Sequence, residues 1–85
     1  MDGMDELEWL DEASGRLTRM SIGYPAADPE IEKIQKHVRY ALHNYKTVDL
    51  KKYVKDTAGR MTAAMVKYPD FEEHFRPVLA KLNGK

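Results

Sequence analysis

Apolar residues recur along the chain at helical spacing and nowhere alternate as a half-buried strand would. The longest such stretch runs from Thr47 to Phe75. Leu50, Tyr53, Val54, Thr57, Met61, Ala64, Met65 and Tyr68 fall on one broad face at about 100° per residue. Its length and apolar width predict the central helix, ended by Tyr68-Pro69, since proline disfavours helical backbone at the residue before it. A first helix is predicted from about Asp2 to Met20, with Leu7, Leu10, Ala13, Leu17 and Met20 as its stripe and Trp9 at the stripe's edge. A tryptophan there is large enough to reach the core or to line a groove between helices. Gly15 weakens this helix by about 1 kcal/mol relative to alanine.

Ser21 to Asp28 reads as a connector, with Gly23 as C-cap, Pro25 as a stop and Tyr24 as an aromatic over the core's end or a lid. A second helix follows from Pro29 to about Tyr45, with Asp28 as N-cap. Its stripe is Ile31, Ile34, Val38, Ala41, Leu42 and Tyr45, and Tyr40 points away from it. Thr47 or Asp49 can cap the central helix. After Pro69, Asp70 and Glu73 have the spacing of a capping box. Pro77 predicts two pieces, a turn over Phe71–Phe75 and a last helix from Pro77 to Leu82 closed by Asn83-Gly84. The expectation is one all-α domain over residues 1–85, about five helices in a globin-like or small helical-bundle arrangement, without an internal repeat.

Composition narrows the function. Lys+Arg and Asp+Glu both number 14 in 85 residues, so the basic excess of a nucleic-acid module is missing. Lys51, Lys52 and Lys55 read as a solvated helix face. No cysteine is present and no apolar run is long enough for a membrane span, which points to a cytoplasmic protein. His37 and His43 stand six apart and point away from each other on one helix, so no metal site is expected. Neither Ser14 nor Ser21 sits at a nucleophile elbow, and the glycines form no phosphate loop. No catalytic residue and no cofactor are expected.

The order of residues resembles the TipAS-type antibiotic-recognition domain, the ligand-binding half of certain MerR-family regulators. The likeness rests on Trp9 in an amphipathic helix, the connector Gly23-Tyr24-Pro25-Ala26-Ala27-Asp28-Pro29-Glu30, and His37 in the next helix. It continues through Met61, Met65, Tyr68-Pro69-Asp70-Phe71, Phe75, Pro77, Leu79 and Leu82, and spans about Glu8 to Leu82. It implies a globin-like bacterial domain whose hydrophobic cleft sequesters a bulky aromatic or peptide antibiotic, with mobile Trp-bearing helices closing over it. The chain departs from the family in lacking cysteine for covalent capture and in carrying Pro77-Val78-Leu79 where the family has Pro-Gly-Leu. It shows no helix-turn-helix, so direct DNA binding is not expected.

The residues expected to line the cleft are Trp9, Tyr24, Tyr40, Met61, Met65 and Phe75, through aromatic and thioether contacts. On that expectation Trp9→Ala would weaken binding and leave the melting temperature nearly unchanged. The partner is then a hydrophobic small molecule or peptide antibiotic, and the chain a monomer or homodimer. The alternative is a helical protein–protein interaction module, with Tyr40 and the edge of the first helix as its patch.

Overall fold

The structure, a computed structural model, describes residues 5–83. Among them are four α-helices: α1 Glu6–Gly23, α2 Asp28–His43, α3 Leu50–Lys67 and α4 Glu72–Ala80. Single 3₁₀ turns follow α1 (Pro25–Ala27), α3 (Pro69–Phe71) and α4 (Lys81–Asn83). The all-α class is as expected, with four helices where about five were predicted. The predicted start at Asp2 and the stop at Gly84 lie outside the described residues. No helix of the described residues is long and apolar enough to cross a membrane.

Asp5 caps α1, its carboxylate accepting from the Glu8 N–H at 2.8 Å, and Asp49 caps α3 through the Lys52 N–H at 3.3 Å. α1 continues through the expected connector to Gly23, which takes no left-handed conformation. Tyr24, with φ −131°, ends the helix instead, its N–H reaching the Met20 carbonyl. Proline needs its predecessor out of the α region, so Tyr24-Pro25 and Tyr68-Pro69 turn the chain alike, each through a 3₁₀ turn.

Asp28 is the first residue of α2, not its cap, and no capping box forms at Asp70, because Phe71 occupies the cap position of α4. Nor does Pro77 split the last helix. α4 runs through it, since Phe75 and Val78 are both buried and hold the segment helical, while the proline ring itself faces solvent.

The predicted central helix is not the most buried one. α1 packs against α2, α3 and α4. It places Trp9, Leu10, Ala13 and Leu17 fully out of solvent, while the corresponding face of α3 keeps Tyr53, Met65 and Tyr68 half-exposed. The reason is Trp9, whose indole Nε1–H donates to the Val78 carbonyl of α4 at 2.8 Å. Gln35 adds a second tie, donating from α2 to the Ser14 carbonyl at 3.1 Å and to the Thr18 hydroxyl at 2.9 Å.

The chain does contain an internal repeat. A shift of 44 positions carries Asp5 onto Asp49, Gly15-Arg16 onto Gly59-Arg60, Thr18 onto Thr62 and Tyr24-Pro25 onto Tyr68-Pro69. The same shift superposes the helix bounds, since α1 and α3 are both 18 residues long. Buried positions correspond as well: Leu10 with Val54, Ala13 with Thr57, Leu17 with Met61, Met20 with Ala64, Ala27 with Phe71, Ile31 with Phe75 and Ile34 with Val78. Even a local bond repeats, with Thr18 donating to the Ser14 carbonyl and Thr62 to that of Ala58. The fold is thus two helix–Tyr-Pro–helix hairpins sharing one core.

The halves meet reciprocally. Trp9 of the first hairpin binds α4 of the second, and its counterpart Tyr53 stacks on His37 of α2 in the first, ring centroids 4.6 Å apart. Glu12 pairs with Lys81, and their counterparts Asp56 and His37 approach to 4.0 Å. Residue i meeting j while the equivalent of j meets that of i is the mark of a twofold interface. The contacts are reciprocal residue by residue for Glu12–Lys81 and Asp56–His37, and element by element for Trp9 on α4 and Tyr53 on α2.

Two stability changes follow. Trp9→Phe removes the indole bond but leaves the Val78 carbonyl the Lys81 N–H, and is expected to cost about 0.5–1.5 kcal/mol, and Trp9→Ala about 3–5 kcal/mol, both read from urea unfolding. Pro77→Ala restores a donor to the exposed side of α4 and is expected to raise stability, by up to about 3 kcal/mol. A fall in the urea midpoint on that change would contradict the continuous helix.

Candidate functional site

The Tyr-Pro corners bring the two hairpins' equivalent residues together. A cleft of about 460 Å³ lies between them, lined by positions 23–27 of the first corner and 67–71 of the second, the same five places of the repeat. The volume is within the range of small-molecule sites.

Aromatic rings form its walls. Phe71 is buried at the base, with Tyr24 set edge-on at 5.2 Å and Tyr68 stacked at 4.9 Å between ring centroids. Phe71 in turn meets Phe75 edge-on at 5.6 Å, joining the cleft to the core. The Tyr24 hydroxyl lies 3.0 Å from His74 Nε2, which fixes the ring across the hairpin boundary. Pro25, Ala26 and Pro69 are exposed around the mouth.

Charge is confined to the second corner. Where the first corner has Gly23 and Ala26, the second has Lys67 and Asp70. Lys67 Nζ bonds Glu30 at 3.0 Å and lies 5.6 Å from the Tyr68 ring centroid. That pairing raises the lysine's pKa and lowers the glutamate's. Tyr24 is pushed above the ordinary phenol value, first by the loss of water around its hydroxyl and then by the carboxylates of Glu73 and Asp70.

Of the residues expected to line a cleft, Tyr24 does. Trp9, Met61 and Phe75 do not: all three are fully buried in the core, so no ligand reaches them without displacing packed side chains. Trp9 is a structural anchor, and the expected mild effect of Trp9→Ala on melting is corrected accordingly. Met65 is half-buried against the core and is not among the lining residues. Tyr40 lies elsewhere, half-exposed on α2 and stacked on Tyr53 at 6.0 Å. Tyr68, Phe71, Lys67 and Asp70 were not expected. The signal that marks them is the recurrence of Tyr-Pro at the end of two equally long helices.

A second cluster surrounds His37, half-buried between Tyr53 and Asp56, with Nε2 out of contact with solvent. Burial lowers the pKa of His37, Arg60 lowers it further, and Asp56 partly opposes both. Among the described residues no group of three or more His, Cys, Asp or Glu side chains could hold a metal ion.

No protein-family model matches the chain, and no curated protein or solved structure matches it.

A depressed histidine pKa means the unfolded chain takes up the proton first as pH falls. Stability linked to His37 is therefore present above about pH 6.5 and is lost as pH drops through the folded-state pKa. Between about pH 7.5 and pH 5 the urea midpoint of the wild type should fall relative to that of His37→Phe. Parallel curves would show that His37 titrates normally.

Proposed function

We propose that this protein is a non-catalytic binding module that holds a hydrophobic small molecule or a short peptide in the cleft between its two Tyr-Pro corners. The observation that carries this reading is the cleft's composition. Tyr24 and Tyr68 leave part of their rings at the mouth while Phe71 closes the base, so a ligand finds apolar walls with hydroxyls at their edge. A core built only for stability would have covered these rings with the apolar positions beside them, which instead are small or exposed: Gly23, Ala26 and Pro69.

The resemblance to the TipAS-type domain supplies the ligand class to try first, thiopeptide and other peptide antibiotics, and implies a globin-like arrangement of the helices. The polar groups of the cleft lining are two phenols, a lysine paired with Glu30 and the Asp70 carboxylate, and the reading asks of them only contact with a ligand.

A second reading is favoured by one specific observation. Ile22 and Val66, equivalent in the repeat, are both 81% exposed, immediately before the corners. Large apolar side chains in solvent at matched positions fit a protein-docking face, and Tyr40, 52% exposed, extends the apolar surface of α2. The two readings separate by site: a small ligand acts at residues 23–27 and 67–71, a protein partner at Ile22, Val66 and Tyr40.

The deciding experiment is an amide chemical-shift titration against thiopeptides, other peptide antibiotics and planar aromatic drugs. Saturable shifts confined to the two corners are expected for one class. Ala26→Trp fills the mouth and should abolish them without changing the unfolding midpoint. Shifts absent across the panel, or insensitive to Ala26→Trp, would remove the cleft from consideration.

A further inference from the structure

The repeat provides an internal control for what the cleft's charges are for. Both corners make the same turn, with the Tyr N–H bonded to the carbonyl four residues back (2.8 Å at Tyr24, 2.7 Å at Tyr68) and the third residue's N–H bonded to the Tyr carbonyl (3.0 and 2.9 Å). The first corner achieves this with Gly23, Ala26 and Pro29 at the places where the second has Lys67, Asp70 and Glu73. The turn itself therefore requires no charge at these places.

Lys67 is accounted for by Glu30, which it ties across the hairpin boundary. Asp70 has no ion-pair or hydrogen-bond partner among the described residues, yet it lines the cleft beside the Tyr24 and Phe71 rings. Glu73 touches only the imidazole of His74, at 3.6 Å, and its side chain is otherwise in solvent. The charged side chains lining the mouth are thus Lys67 and Asp70, and of the two only Asp70 has no partner among the described residues, since Lys67 is held by Glu30, which Lys33 also approaches. Lys67 lying over the Tyr68 ring shows that the π-face in this cleft already accepts a cation.

From this geometry we infer that the cleft selects ligands with an apolar or aromatic body and a single cationic amine, the body resting on Tyr24, Phe71 and Tyr68 and the amine directed to the second corner at Asp70. The inference rests on the reading of the cleft as the binding site and adds the ligand's charge and its orientation. The broken symmetry sets that orientation: the body's far end lies over the uncharged first corner, and the reverse pose would leave the amine against Ala26 and Gly23.

Three naphthalene probes of one shape test this: 2-naphthylmethylamine (cation), 2-naphthylmethanol (neutral) and 2-naphthoate (anion). Each is titrated at neutral pH and low salt, with the amides of residues 23–27 and 67–71 as the readout. The amine is expected to bind roughly five- to tenfold more tightly than the alcohol, from one cation–π contact and one rim ion pair, and the carboxylate least tightly. Asp70→Asn should bring amine and alcohol to within about twofold while leaving the alcohol's affinity unchanged. Added salt should do the same to the wild type without any mutation, which keeps the test valid if the variant's turn is perturbed. If the alcohol or the carboxylate binds the corners as well as the amine does, the cationic class is overturned and the apolar cleft stands. If no probe moves the corner amides, the cleft reading falls with it.

Discussion

The reciprocal burial of one hairpin by the other is the constraint on which the rest of the structure depends. Neither hairpin has enough apolar surface of its own to make a core: the first supplies the buried faces of α1 and α2, the second those of α3 and α4, and they close on each other as one cluster. A chain of 85 residues buries only about two-thirds of the surface it exposes when unfolded, so a shared core is the economical arrangement. The indole bond from Trp9 to the Val78 carbonyl sets the distance between α1 and α4. The Tyr53–His37 stack does the corresponding work between α3 and α2, more loosely, since Tyr53 is half-exposed and His37 a smaller ring. That inequality is why α1 rather than α3 became the most buried helix.

The site is a by-product of that packing. The two turns are built alike, each from a Tyr cap, a proline and a 3₁₀ turn, and they line one cleft together. Their side chains then decide what the junction does. Alanine at position 27 and phenylalanine at 71 fill the base unequally, one ring serving both halves, and the remaining space is the cleft. Divergence elsewhere follows the same logic. The Glu12–Lys81 pair joins opposite charges across the interface, while at the counterpart position Asp56 faces a His37 whose burial disfavours its charged form. One side of the domain thus carries an ion pair and the other an uncharged aromatic contact.

Helix spacing, the Tyr68-Pro69 stop, Asp49 as one of two candidate caps and most of the core stripes of the first three helices were legible in the sequence, because each depends on residues within a few positions of one another; the continuous last helix was not, because Pro77 by itself predicts a break. The candidate site was legible only at Tyr24. Periodicity places Trp9 at a stripe's edge but cannot say that a carbonyl on α4, 69 positions away, is there to receive its N–H. Met61 and Phe75 have the chemistry of ligand contacts and the burial of core residues, and burial is decided by which helix lies across them. The repeat was present in the sequence yet hidden, since Leu answers Met, Ala answers Thr and Ile answers Phe at buried positions, where volume and apolarity matter more than identity.

By itself, then, the sequence determined an all-α fold with no net charge and the turn at Tyr68-Pro69, because local backbone sterics and helical period act within a few residues. The tertiary structure decided that the two hairpins share one core, that Trp9 is an anchor, and that positions 23–27 and 67–71 share a cleft. Those outcomes depend on surfaces brought together across some 44 residues of chain, where complementarity of shape and charge, not propensity, selects the partner.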